Sequence, residues 1–223
     1  RKLIRIIITN SFKLLLAIGM TFVIASGGID LSVGSILSLS AIFTALCMKQ
    51  NIPVWLAILV GLLSGILMGL INGALIHFTG INAFIITLGT SFLYRGLALI
   101  VTRGTPVSKL PAAYRAFGGG DIFQVESGVY MALLVLLLSI PLLYKMRWGH
   151  YITTLGGNPV ALRRCGVRTG AWRISTFAVM GFLAALAGII ISARLNSAEP
   201  NAGLNMEMDA ITAVILGGTP LHG

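Results

Sequence analysis

Long apolar runs separated by short polar interruptions dominate the chain. Apolar segments fall at about 14–25, 31–48, 53–78, 82–101, 128–144 and 174–193, and a further one begins near 208. A helix needs about 20 residues to cross the hydrocarbon core of a bilayer. Segments 53–78, 82–101 and 174–193 meet that length outright, 31–48 falls slightly short, and 128–144 is marginal unless flanking residues join it. Segment 14–25 is too short alone, so it either extends back through Leu3–Ser11 or joins 31–48 as one broken helix. The runs are continuous rather than alternating, which excludes a transmembrane β-barrel. The pattern predicts an all-α, polytopic membrane helix bundle, with residues 1–223 forming one transmembrane domain.

Composition strengthens that reading. Hydrophobic residues make up 57% of the chain and charged residues 10%, and the mean hydropathy is +0.95. A soluble domain carries about a quarter of its residues charged. The net charge of +10 raises the question of nucleic acid. The basic residues, however, lie in loops and at span ends, where they set topology.

The interval Lys145–Arg173 holds Lys145, Arg147, Arg163, Arg164, Arg168 and Arg173 with no acidic residue. Positive charge concentrated in a short loop marks the cytoplasmic side. Loops 102–127 and 194–206 then fall outside, the turn Thr79–Ile81 inside, and Lys49–Asn51 outside. Two crossings by 14–25 and 31–48 put Arg1, Lys2 and Arg5 outside, against the charge rule; one broken crossing puts them inside. The chain starts without methionine and stops within a glycine-rich motif, and it reads as a fragment at both ends with no cleavable signal sequence. Cys47 and Cys165, the only cysteines, predict neither a structural disulfide nor a metal site.

Small residues line the spans. Gly61, Gly65, Gly69 and Gly73 share one helix face, where another backbone can approach closely. Two further glycine pairs interrupt apolar runs. The first lies in Ser26-Gly27-Gly28-Ile29-Asp30-Leu31-Ser32-Val33-Gly34; Asp30 is the only acidic residue before position 121. An ionisable group at membrane depth either faces a cavity or partner or caps a new helix N-terminus through its backbone N–H groups. Both readings stand for Asp30. Near the other end, Gly217-Gly218-x-x-Leu221 repeats Gly27-Gly28-x-x-Leu31, as an internal duplication with a midplane site between halves would. His77 lacks ligand-spaced neighbours and reads as an interfacial residue, and Asn72 reads as helix glue or a contact for a polar solute. No phosphate-binding Gly-x-x-x-x-Gly-Lys-Ser/Thr motif is present, nor a nucleophile with a base, so an intramembrane enzyme finds no support.

Within the basic interval, Asn158-Pro159-Val160-Ala161-Leu162-Arg163-Arg164-Cys165-Gly166 predicts a short helix. Pro159 suits the first turn, Gly166 the C-terminal stop, and Arg163 and Arg164 the C-terminal end of the helix dipole.

The stretch Ile24–Ser35 resembles the signature of permease subunits of ribose-type bacterial ABC importers. So do Ile85–Thr90 with Tyr94–Ala98, Gly156–Val167, Met180–Ile190, Pro200–Gly203 and Glu207–Thr219. The matches run in order across nearly the whole chain. The family commonly has a serine where this chain has Pro220, and a glycine pair at His222-Gly223. The resemblance implies a multi-pass permease of the bacterial inner membrane that is not itself an enzyme and holds no cofactor. Its implied partners are a second permease (identical or paralogous), a cytoplasmic ATPase and a periplasmic sugar-binding protein. It also implies that Gly157, Asn158, Pro159, Ala161, Arg163, Arg164 and Gly166 form the coupling helix that seats in the ATPase. A path for a neutral solute is expected along Gly27, Gly28, Asp30, Ser32, Ser35, Asn72, Thr87, Thr90, Gly217 and Gly218. The competing reading, a secondary transporter driven by an ion gradient, would use Asp30 and the paired glycine breaks.

Overall fold

The computed structural model describes residues 2–122 and 125–219, with backbone course alone for 2–9, 121 and 122. Pro220, Leu221 and His222-Gly223 lie outside the described residues. Ten helices follow in chain order among those residues. They are α1 (Lys2–Ala25), α2 (Val33–Lys49), α3 (Val54–Thr79), α4 (Ala83–Thr102), α5 (Ala112–Gly119), α6 (Ser127–Tyr144), α7 (Arg147–Gly157), α8 (Pro159–Arg164), α9 (Thr169–Leu195) and α10 (Met206–Leu216). Strand β1 (Val107–Ser108) pairs antiparallel with β4 (Ser197–Ala198), and β2 (Asp121–Ile122) with β3 (Val125–Glu126). Helices α3, α4, α6 and α9 are long and apolar enough to cross a membrane, so the chain is a multi-pass membrane protein.

Helix α9 runs through the centre, buried along most of its length and flanked by α1, α2 and α3. Its antiparallel packing on α3 follows from the glycine row. A methyl group on Gly73 would stand 2.7 Å from the Ile174 Cα, and one on Gly69 would strike the Phe177 carbonyl. The two backbones therefore meet with no side chain between them, which gains dispersion contacts where lipid offers no hydrophobic drive.

The direction of each helix resolves the alternatives left by the sequence. Segment 14–25 does extend back, because α1 starts at Lys2. Gly19 of α1 lies against Met180 and Leu183, Gly28 against Phe177, and Gly27 against Gly156. Thus α1 descends toward the basic interval, and α2 climbs away from it to Lys49, whose Nζ donates to the Lys109 carbonyl at the far end. Residues 2–25 and 33–49 are two separate traverses. With the basic interval inside, Lys2 and Arg5 begin on the outer side, against the charge rule, because packing on α9 fixes the direction of α1.

The outer end is closed by α5, whose Tyr114 hydroxyl meets the Ile189 carbonyl (3.1 Å) and Ser192 Oγ (2.6 Å). An Arg194–Glu126 ion pair at 3.2 Å and the β1–β4 pairing complete that closure.

The two glycine breaks match, but one residue out of the expected register. Helix α1 ends with Gly28 N–H donating to the Val23 carbonyl, and α10 with Thr219 N–H donating to the Val214 carbonyl. Gly27 (φ +77°) therefore corresponds to Gly218 (φ +91°). The repeat is Thr21-x-Val23-Ile24-x-x-Gly27 against Thr212-x-Val214-Ile215-x-x-Gly218. Both glycines take the left-handed conformation that ends a helix in a six-to-one hydrogen bond.

Candidate functional site

The basic interval folds into two helices. The sequence reading anticipated α8 and missed α7, although Trp148, Ile152 and Leu155 at helical spacing carry the signal. Ile152 and Leu155 are buried and anchor α7, and Trp148 packs edge-on against Phe22 with ring centroids 5.1 Å apart. Helix α8 starts where Asn158 Oδ1 accepts from the Ala161 N–H at 2.9 Å, with Pro159 in the first turn. It stops at Gly166 (φ +78°), where Val167 N–H reaches back to the Leu162 carbonyl. Leu162 alone is buried, while Gly157, Asn158, Val160, Ala161, Arg163, Arg164 and Gly166 are exposed and Pro159 is half-buried. The result is a short capped helix held to the bundle by one leucine, with its arginines turned outward.

The end of α7, just ahead of this helix, touches the first glycine break. A methyl group on Gly27 would stand 3.2 Å from the Gly156 Cα. The sequence presents the two motifs about 130 residues apart; the fold puts them in backbone contact.

From Gly28 the chain rises into the bundle through Asp30 to the start of α2. Asp30 Oδ1 accepts from Ser32 N–H (2.8 Å) and Ser32 Oγ (2.6 Å), an Asx-type turn that leads into α2 rather than a cap on it, since the N-cap is Ser32 and carries no side-chain cap hydrogen bond. Asn72 Nδ2 donates to Ser32 Oγ at 2.7 Å, and the Tyr94 hydroxyl donates to Asn72 Oδ1 at 3.1 Å. Thr87 Oγ1 accepts from Leu31 N–H at 3.0 Å, and Ser35 Oγ donates to the Ser32 carbonyl at 2.7 Å. Asn72 sits seven residues before Thr79, ~10 Å from the inner end of α3 at 1.5 Å per residue. The broken segment is therefore pinned at membrane depth by α3 and α4.

Asp30, Ser32, Ser35, Asn72 and Thr87 are closed inside the bundle in this conformation, each with 0 or 1% exposure. Thr90 is half-buried. Asp30 Oδ2 has no hydrogen-bond partner among the described residues. Gly27 and Gly28 border a cavity of about 160 Å³ at the inner end, together with Asn82 and Arg173. Gly217 and Gly218 border a separate one of about 500 Å³. The expected path residues thus form three groups rather than one continuous line. No cluster of His, Cys, Asp or Glu among the described residues is built to hold a metal.

Two features escaped the sequence reading. Arg95, half-buried in α4, donates through Nη1 to the Pro200 carbonyl (2.6 Å), the Ala202 carbonyl (2.7 Å) and Ser38 Oγ (3.1 Å). It fastens loop 199–205 to α2 and α4. Lys13 pairs with Asp209 at 2.8 Å across α1 and α10. Charges inside apolar spans are the signal that would have found both.

Comparison with known proteins matches residues 3–223 to a family profile described as branched-chain amino acid transport system / permease component. The chain is 38% identical to the ribose import permease protein RbsC of Haemophilus influenzae, over 99% of this chain and 70% of that one. It is 41% identical to the Bacillus subtilis ribose import permease protein RbsC, over 94% of this chain and 66% of that one. It is also 36% identical to the Escherichia coli D-allose transport system permease protein AlsC, over 98% and 68% of the two chains. The chain thus spans about two thirds of the length of these relatives. No solved structure matches.

Proposed function

We infer that this chain, which belongs to the branched-chain amino acid transport system / permease component family, is the membrane-spanning permease of an ATP-driven importer for a monosaccharide or similar neutral solute. The sugar class is supported by the relatives named for ribose and D-allose. The observation that carries the mechanism is the exposed, capped α8 following directly on the end of α7, whose Gly156 lies against the Gly27 break. A cytoplasmic ATPase seats on Gly157–Gly166, and its acidic groups meet Arg163 and Arg164. Closure of the ATPase dimer displaces α7 and α8, and the Gly156–Gly27 contact passes that displacement to segment 26–32. The segment is anchored above by the Asp30–Ser32–Asn72–Tyr94 chain of hydrogen bonds, so it tilts rather than slides.

ATP hydrolysis is assigned to the partner, and solute selection to a periplasmic binding protein. A second permease, identical or paralogous, completes the pathway, in a bacterial inner membrane. Gly27, Gly28, Asp30, Ser32, Ser35, Asn72, Thr87, Thr90, Gly217 and Gly218 are proposed as the part of the bundle that rearranges around the solute.

The test is purification of the tagged full-length permease in mild detergent, followed by mass spectrometry and uptake by vesicles. Co-purifying ATPase and ATP-dependent uptake of D-ribose or D-allose are expected. A permease recovered alone, with uptake abolished by an uncoupler and indifferent to ATP, would replace this reading with the ion-gradient transporter.

A further inference from the structure

Arg173 is a cation at the inner end of the bundle that no carboxylate answers. It lies four residues into α9, ~6 Å from the inner end of that helix at 1.5 Å per residue, and it is half-buried. Among the described residues it makes neither a hydrogen bond nor an ion pair. The charge that acts on it is that of Arg163, of the same sign. A charge withdrawn from water is costly unless an opposite charge or an acceptor meets it.

Arg173 borders the cavity of about 160 Å³ at the inner end, together with Ser26, Gly27, Gly28, Asn82 and Phe177. Sites for whole small molecules begin at about 300 Å³, so this one has room for a single small polar group. No Asp or Glu borders it. Asn82 Oδ1 is taken by the Phe84 N–H at 3.0 Å, and Asn82 Nδ2 has no acceptor among the described residues. Asn82 also begins α4, whose first N–H groups add positive potential. A guanidinium and a free amide donor without a carboxylate make surroundings for an anion. A guanidinium pairs best with phosphate, through two parallel N–H donors.

The level and the rim of the cavity narrow the choice of anion. The rim is the α3–α4 turn, where Gly80, Ile81 and Asn82 are exposed. Beside it in the chain, Phe78, Phe84 and Ile85 present bare apolar side chains. Trp172, next to Arg173, packs on Tyr151 with ring centroids 4.7 Å apart, and such aromatic residues gather at headgroup level. A phosphate entering here keeps its acyl chains against the apolar turn. Basic pockets between membrane helices on the cytoplasmic side take anionic headgroups in this way. A zwitterionic lipid would bring its own cation toward Arg163 and Arg173, and a neutral molecule would leave Arg173 unpaired.

We propose that this cavity binds the phosphate of an anionic phospholipid of the inner leaflet. Arg173 and Asn82 hold the phosphate, and the acyl chains lie on the α3–α4 turn. Gly27 and Gly28 border the same cavity, so the bound lipid steadies the break that ends α1. Binding of this lipid is independent of transport.

The test uses the tagged full-length protein, purified in mild detergent with the subunits that accompany it. Native mass spectrometry reads the lipid it retains. Melting temperature is then followed as phosphatidylglycerol, phosphatidylcholine with the same chains, or inorganic phosphate is added. The parent should retain phosphatidylglycerol and melt higher in its presence, with no such gain from phosphatidylcholine. Arg147→Gln, which removes one charge from the basic interval away from the cavity, should behave like the parent. Arg173→Gln should retain several-fold less lipid and lose the shift, and Arg173→Lys, which keeps the charge without the fork, should fall between. Asn82→Asp keeps a capping residue on α4 but sets a carboxylate at the cavity, so it should release the lipid as well, and it covers the case in which Arg173→Gln fails to fold. Unchanged retention and shift in Arg173→Gln and Asn82→Asp overturn the proposal. An equal shift from phosphatidylcholine, or a parent that neither retains nor responds to phosphatidylglycerol, does the same. A shift from inorganic phosphate as large as that from phosphatidylglycerol assigns the cavity to a free anion and overturns the lipid.

Discussion

Replacing Gly27 by alanine separates two glycines that look equivalent in the sequence. Gly27 holds φ at +77°, and a methyl group there would stand 3.2 Å from the Gly156 Cα. The left-handed conformation costs a non-glycine residue roughly 1–2 kcal/mol, and the backbone of α7 must retreat in addition. Gly28 has an ordinary φ, and a methyl there would meet the Phe177 ring at 3.3 Å and Ala83 Cβ at 3.5 Å, contacts a side chain can relieve. Gly28→Ala should therefore stay within about 0.5 kcal/mol of the parent, the range of substitutions that trigger no special mechanism. At about 2–4 °C per kcal/mol for a chain of this size, Gly27→Ala lowers the melting temperature of the detergent-solubilised protein by ~2–8 °C. Gly28→Ala shifts it by less than ~2 °C. Gly27→Asn, which tolerates the left-handed region better, should recover part of the loss. Because Gly27 abuts Gly156, next to the segment proposed to seat in the ATPase, that proposal expects Gly27→Ala also to lower uptake per ATP hydrolysed, with ATPase binding retained. Equal melting temperatures for the two alanine variants would refute both the assigned backbone geometry and the Gly27–Gly156 contact.

Three other outcomes are expected. Asn158→Ala removes the cap of α8 and costs that helix about 1 kcal/mol; solute-stimulated ATPase activity of the reconstituted complex should fall while Asn158→Asp retains most of it. Arg95→Leu leaves the Pro200 and Ala202 carbonyls without their donor, a loss of about 1–3 kcal/mol per unsatisfied group, and limited proteolysis should find new cleavage within 199–205; Arg95→Lys, which keeps the charge and donors but on a shorter, more strongly hydrated head group, should fall in between. Gly69→Ala drives a methyl into the Phe177 carbonyl, whereas Gly96→Ala meets nothing within 4 Å; a typical overpacking cost of about 1–3 kcal/mol should appear as reduced thermal stability in the first variant alone.

Much of the fold was legible because it is local. The apolar runs at 53–78, 82–101 and 174–193 became α3, α4 and α9 within a few residues, since span length and hydropathy are set segment by segment. The cap, proline and glycine of α8 likewise act within one short stretch, so its ends could be read directly. Helix α7 was passed over because glycine and charge masked its buried positions, Ile152 and Leu155. The register of the repeat was taken from glycine pairs, whereas the helix-ending hydrogen bonds align Gly27 with Gly218.

The sequence by itself determined that this is an all-α membrane bundle, where its basic charge is concentrated, and where a short capped helix interrupts that basic stretch. Those properties follow from hydropathy, charge and capping, each expressed by neighbouring residues. Tertiary structure alone decided the direction of α1 and the contact between Gly27 and Gly156. It also decided that Asp30, Ser32, Asn72 and Tyr94 form one closed chain, and that Arg95 fastens a loop more than 100 residues away. Glycines on α3 allow α9 to approach, and that approach fixes which distant polar groups come within about 3 Å, the reach of a hydrogen bond.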